Sequence, residues 1–105
     1  MNRAQIDIPK DKIADFCRRW KISELALFGS VLRDDFRLDS DIDMLASYAE
    51  DADWSLFDHV RMEEELSEIL GRKVDLVNRR VVESSTNWIR RKAILESAET
   101  YYVAG

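Results

Sequence analysis

A chain of 105 residues, 46% of them hydrophobic, is long enough for one packed core and too apolar for disorder, although 35% of it is charged. The net charge of −5 excludes a general basic footprint, so no direct nucleic-acid binding is expected. One cysteine, Cys17, excludes an internal disulfide, and no run approaches the roughly eighteen apolar residues of a membrane span. These features predict a single domain over 1–105, in the cytoplasm, with no membrane contact and with Cys17 as a reduced core thiol.

Residues 9–20 predict the first helix, since Ile13, Phe16, Cys17 and Trp20 fall at i, i+3, i+4, i+7 after Pro9. Residues 24–28 are a short apolar run ended by Gly29, which predicts a buried strand with a tight exit. Ser30 can cap a helical turn over 30–33. Residues 41–47 predict a second strand, with Ile42 and Met44 on one face and Asp41 and Asp43 on the other. Residues 54–70 predict a long helix with Leu56, Val60, Leu66 and Leu70 on one side and Gly71 as its stop. A third strand over 73–78 turns Val74 and Leu76 one way and Asp75 the other. Residues 85–103 predict a final helix with Ile94, Leu95, Ala98, Tyr101 and Tyr102 as its buried stripe. The fold class is α/β (α+β): a small mixed sheet with helices packed on one side, in which only 54–70 is long enough to join parallel neighbours.

The aspartates carry the chemistry. Asp41 and Asp43 leave one strand face together and repel each other unless a cation sits between them. Oxygen-only ligands suit Mg²⁺ or Mn²⁺ rather than zinc. Asp75 joins them if its strand is a neighbour, and three carboxylates can hold two metals for in-line transfer at phosphorus. A lone Asp-x-Asp is more often a solvated strand end. Here Gly29-Ser30 follows a strand at a helix start, where backbone N–H groups and a hydroxyl can hold phosphate.

Gly29-Ser30, ten intervening residues and then Asp41-x-Asp43 resemble the signature of the DNA polymerase β-like nucleotidyltransferase superfamily. Arg33, Asp35, Asp39, Ser40, Ile42 and the Val74–Val77 stretch also resemble its smallest branch, the minimal nucleotidyltransferase (MNT) proteins. The resemblance implies the palm-like nucleotidyltransferase fold. It implies that Gly29 and Ser30 bind the triphosphate of ATP and that Arg33 contacts its phosphates, the alternative for Arg33 being a surface ion pair with Asp35 or Asp39. It implies that Asp41, Asp43 and Asp75 are the catalytic residues and bind two Mg²⁺ ions. Asp34 departs from the pattern, since many relatives carry a small residue there. The branch is typically an antitoxin that transfers AMP from ATP to a tyrosine of a HEPN-domain toxin RNase. The implied function is therefore that of a Mg²⁺-dependent protein adenylyltransferase with a HEPN partner. The alternative is an antitoxin that acts by binding alone, with an unused site. A small-molecule transferase is a third reading, weakened because the chain has no room for a second, acceptor-binding domain unless a homo-oligomer supplies it.

Other residues have plainer readings. His59 and Glu63 suit an i, i+4 pair at the core edge, with partner docking by a partly exposed helix as the sharper alternative. The Arg79–Arg80 and Arg90–Lys92 clusters read as solvated helix faces. Tyr101 and Tyr102 read as packing. Trp54 and Trp88 are candidate interface anchors whose burial the sequence leaves open. Of the run Glu63–Glu65, the outer two residues are expected in solvent.

Overall fold

The computed structural model describes residues 8–29 and 41–104. The helical turn expected over 30–33 lies outside the described residues. So do Ser30, Arg33, Asp34, Asp35, Asp39 and Ser40. The elements run α1 (Lys10–Arg19), β1 (Ile22–Phe28), β2 (Ile42–Tyr48), α2 (Leu56–Leu70), β3 (Val74–Asn78), α3 (Arg79–Glu83), α4 (Trp88–Ser97) and β4 (Glu99–Val103). The sheet order is β3-β2-β1-β4. β1 pairs antiparallel with β2 and β4, while β2 and β3 are parallel. The mixed sheet and the α2 crossover between parallel neighbours agree with the sequence expectation.

β1 is central, and its last four residues, Leu25 to Phe28, are all buried. Alternation along the strand sends Leu25 and Leu27 to one face and Ala26 and Phe28 to the other. The first face packs with Ile13, Phe16 and Cys17 of α1 and with Met62 and Leu66 of α2. The second packs with Val82 of α3 and Ile94 of α4. Helices therefore cover both faces of the sheet, not one. The buried helical content beyond residue 78 was the missing cue, because α3 is only one short turn, capped by Asn78 through Arg80 N at 2.9 Å.

The C-terminal helix expected over 85–103 is also corrected. α4 ends at Ser97, and Ala98 is already extended at ψ 133°. The following Glu99–Val103 run is rich in aromatic and β-branched residues and pairs with the open edge of β1, Leu25 opposite Tyr102. Tyr101 and Tyr102, expected buried in a helix stripe, are partly buried and pack on the first cluster from a strand.

α2 begins with a capping box in which Ser55 Oγ accepts from Asp58 N and Asp58 Oδ2 accepts from Ser55 N at 2.9 Å. Gly71 ends it in the left-handed region at φ 69°. Its buried face is centred on Met62, Leu66 and Ile69 rather than on Leu56 and Val60. At roughly 100° per residue, Leu56 falls about a third of a turn away and Val60 about two fifths of a turn. Leu56 is 80% exposed and Val60 44%. Cys17 is fully buried, and burial pushes its thiol up to about 12, which makes it a core group and not a nucleophile.

α1 and α2 are tied by Glu65, which accepts from Arg19 Nη2 at 2.5 Å and from Trp20 Nε1 at 2.7 Å. Burial opposes the Glu65 charge, but these hydrogen bonds outweigh it and hold the carboxyl below its ordinary range. A depressed folded pKa gives stabilisation that is whole above the ordinary glutamate value and is lost as pH falls through the lowered one. Glu65→Gln should therefore reduce the loss of unfolding free energy between neutral and acid pH; an unaltered acid limb in urea titrations would contradict this. Leu66, fully buried between α2 and the sheet, should cost about 2–5 kcal/mol as Leu66→Ala, read as a fall in the urea midpoint.

Candidate functional site

Three strand ends meet where the sequence analysis placed its candidates. Phe28 opposes Asp43 across the β1–β2 ladder, and Asp43 opposes Asp75 across the parallel β2–β3 ladder. Ile42 and Met44 point into the first core cluster, as do Val74 and Leu76. Asp43 and Asp75 alternate with them, so both leave the other face, side by side. Neighbouring strands lie about 4.8 Å apart, which sets the scale of the gap between these two residues. Asp43 is half-buried and Asp75 exposed.

Asp41 precedes β2 and is exposed, with its Oδ2 3.9 Å from Lys73 Nζ. This surface ion pair is worth little. Asp41 shares the face of Asp43 by strand alternation, but among the described residues no group of three His, Cys, Asp or Glu side chains is gathered tightly enough to hold a metal ion. The structure brings together Asp43 and Asp75 and leaves Asp41 at their margin.

Gly29 closes the site against β2. It follows β1 directly and sits in the left-handed region at φ 78°. A Cβ added there would collide with Asp43 Oδ2 and stand 3.3 Å from Asp43 Cγ. Backbone at Gly29 thus approaches a carboxylate that a side chain would displace. Oxygen donors from two strands, beside a glycine that leaves the approach open, suit a hard cation and a phosphate.

The remaining candidates resolve individually. His59 Nε2 lies 3.7 Å from Glu63 Oε2, which matches the expected i, i+4 pair. Trp54 is half-buried, with Nε1 donating to Trp20 O at 2.8 Å, whereas Trp88 is 60% exposed. Arg79 lies 3.6 Å from Glu24 and 3.4 Å from Glu83, and Arg91 donates to Ser85 O at 2.9 Å, so neither basic cluster is wholly solvated. Of the run Glu63–Glu65 only Glu64 is exposed, which corrects the expectation that both outer residues face solvent. Glu63 accepts from Leu76 N at 2.7 Å, a bond no periodicity could reveal because its partner is a backbone amide on another element. A cavity of about 330 Å³ opens at the far end of β2 and β3, between Tyr48, His59 and Arg79. It touches none of Asp41, Asp43 and Asp75.

No helix among the described residues is long and apolar enough to cross a membrane. Residues 10–101 match the model of a family described as the nucleotidyltransferase domain. Protein adenylyltransferase MntA of Thermococcus cleftensis is 39% identical over 59 residues, which is 56% of this chain and 58% of that protein. The chain thus spans less than two thirds of that relative's length. A structure described as a candidate minimal nucleotidyltransferase superposes with a TM-score of 0.65 at 31% identity, covering 86% of each chain. The MNT antitoxin in complex with a tri-AMPylated HEPN toxin of Shewanella oneidensis shares the fold, with a TM-score of 0.62 at 22% identity over 90% of this chain and 70% of that one.

Gly29→Ala should lose about 1–2 kcal/mol of stability from the left-handed backbone alone. Because the new methyl also displaces the Asp43 carboxylate, a urea midpoint equal to that of the wild type would show that Gly29 is not held as described. With the family model spanning nearly the whole described chain and the Gly29, Asp43 and Asp75 ends meeting on one sheet face, the chain belongs to the nucleotidyltransferase domain family.

Proposed function

We propose that this chain is a Mg²⁺-dependent protein adenylyltransferase of the cytoplasm. It moves AMP from ATP to a tyrosine hydroxyl of a HEPN-domain toxin and so acts as its antitoxin. The observation that carries this reading is the register of Asp43 with Asp75 beside Gly29. The names of the relatives add the acceptor class: a protein adenylyltransferase, and an MNT antitoxin whose HEPN partner carries AMP groups. The exposed apolar side chains Leu56 and Phe57 on α2 support a protein acceptor, which needs a docking surface.

Asp41, Asp43 and Asp75 would hold Mg²⁺. The donor set fits, because Mg²⁺ in phosphoryl-transfer sites needs only one or two carboxylates together with substrate phosphates and water. Bound there, the metal would supply charge neutralisation at the triphosphate and acidify the acceptor hydroxyl. Gly29 leaves its backbone open to the triphosphate, and the family resemblance gives Ser30 and Arg33, outside the described residues, as its further ligands. Asp75, the more exposed partner of the register pair, receives the hydroxyl proton. The hydroxyl oxygen forms a bond to the α-phosphorus while the bond from that phosphorus to pyrophosphate breaks. Asp43 is the more buried of the pair and is confined by Gly29, which suits a fixed ligand.

The test is AMP transfer from α-labelled ATP with Mg²⁺ in a lysate of the host. Wild type should label one discrete protein, and Asp41→Ala/Asp43→Ala should reduce the label to background while retaining the circular dichroism of the folded chain. Full transfer by the double variant would end the proposal. Neutralisation of the partner by that variant, without label, would favour binding alone.

A further inference from the structure

We propose that Glu63 and Ser67 of α2 are positioning residues for Asp75, acting together on the outward edge of β3 as a neighbouring strand would. The inference rests on the transferase reading above for its catalytic part and on hydrogen bonds alone for its structural part.

Among the described residues β3 is the outermost strand on its side of the sheet, and one row of its backbone groups faces no neighbouring strand there. Lys73 O accepts from Ile42 N at 2.9 Å, which turns the odd-numbered side of β3 toward β2. The N–H groups of Val74 and Leu76 therefore point outward. These are the two residues that flank Asp75. Val74 N donates to Ser67 Oγ at 3.0 Å, and Leu76 N donates to Glu63 Oε2 at 2.7 Å. Glu63 and Ser67 are one helical turn apart, so a single face of α2 meets the strand edge at two consecutive outward N–H groups. Ser67 Oγ in turn donates to Glu63 O at 2.7 Å, which fixes its rotamer. His59 Nε2 backs the Glu63 carboxylate from the preceding turn at 3.7 Å.

Asp75 itself points to the opposite face from Val74 and Leu76, so neither Glu63 nor Ser67 touches the reacting groups. Their effect passes through the backbone on both sides of Asp75. A parallel pair at a sheet edge is weakly held, and its register sets which residue faces Asp43. A displacement of about 1 Å at a catalytic group costs on the order of a hundredfold in rate.

Amide exchange and transfer kinetics test this together. Glu63→Ala should speed exchange at Leu76 N, and Ser67→Ala at Val74 N, each by at least about tenfold. Glu63→Ala should lower kcat for AMP transfer by roughly tenfold or more with KM for ATP within about twofold, because the triphosphate is held elsewhere. Glu63→Gln keeps an oxygen acceptor for Leu76 N and should restore most of kcat. Unchanged exchange at Leu76 in Glu63→Ala overturns the proposal whatever the enzyme does. So does a kcat equal to that of the wild type, or a Glu63→Gln variant as slow as Glu63→Ala. If Glu63→Ala does not fold, Ser67→Ala and Glu63→Gln carry the same comparison. A wild type that transfers no label would refute the functional reading, and the exchange data would still decide whether α2 holds the strand.

Discussion

Parallel pairing of β2 with β3 is the constraint on which the other features depend. Two parallel strands cannot be joined by a tight turn, so the chain must leave β2, cross as α2 and return. That crossover lays Met62 and Leu66 over the first face of the sheet and carries Glu63 and Ser67 to its edge. The same pairing sets Asp43 against Asp75. Crossover, core and carboxylate pair are three results of one strand direction.

The second face answers to the central position of β1. A strand with neighbours on both sides has no free backbone edge, and its alternate side chains must be covered above and below. Leu25 and Leu27 are covered by α1 and α2, and Ala26 and Phe28 by α3 and α4. The thinner second cluster leaves room at its margin for polar groups. The aspartates stand there, beside Phe28 and Gly29, where packing ends.

The pairing of Asp43 with Asp75 is legible in the sequence because its pattern is local. Asp43 and Asp75 sit in short apolar runs where aspartate is otherwise disfavoured, and Gly29 marks a strand exit. The face of each strand followed from alternation alone. The α2 stripe differs from its helical spacing because Leu56 and Val60 are apolar yet lie off the buried side, and a helix wheel has no knowledge of which side the sheet occupies. Residues 99–103 carry a helical spacing in the sequence, since Tyr101 and Tyr102 extend that of Ile94, Leu95 and Ala98. What decides for a strand is the vacant edge of β1, some seventy-five positions earlier in the chain. Glu63 escaped for the same reason: its partner is a distant amide, and a charged run looks solvated until the edge it caps is known.

The placement of β4 bears on how the chain comes to be folded. Leu25 finds its partner Tyr102 only once residues 99–103 have been made, and until then β1 offers an unpaired edge and an apolar surface. Long-range pairings of this kind slow folding, because closure entropy is spent before contacts compensate. The nascent chain can assemble α1, β1, β2, α2 and β3 in order, but the central strand of the sheet is completed from its far end. A chain interrupted within α4 would keep the carboxylate strands and lose the strand that shields β1, leaving a template for association with other extended segments.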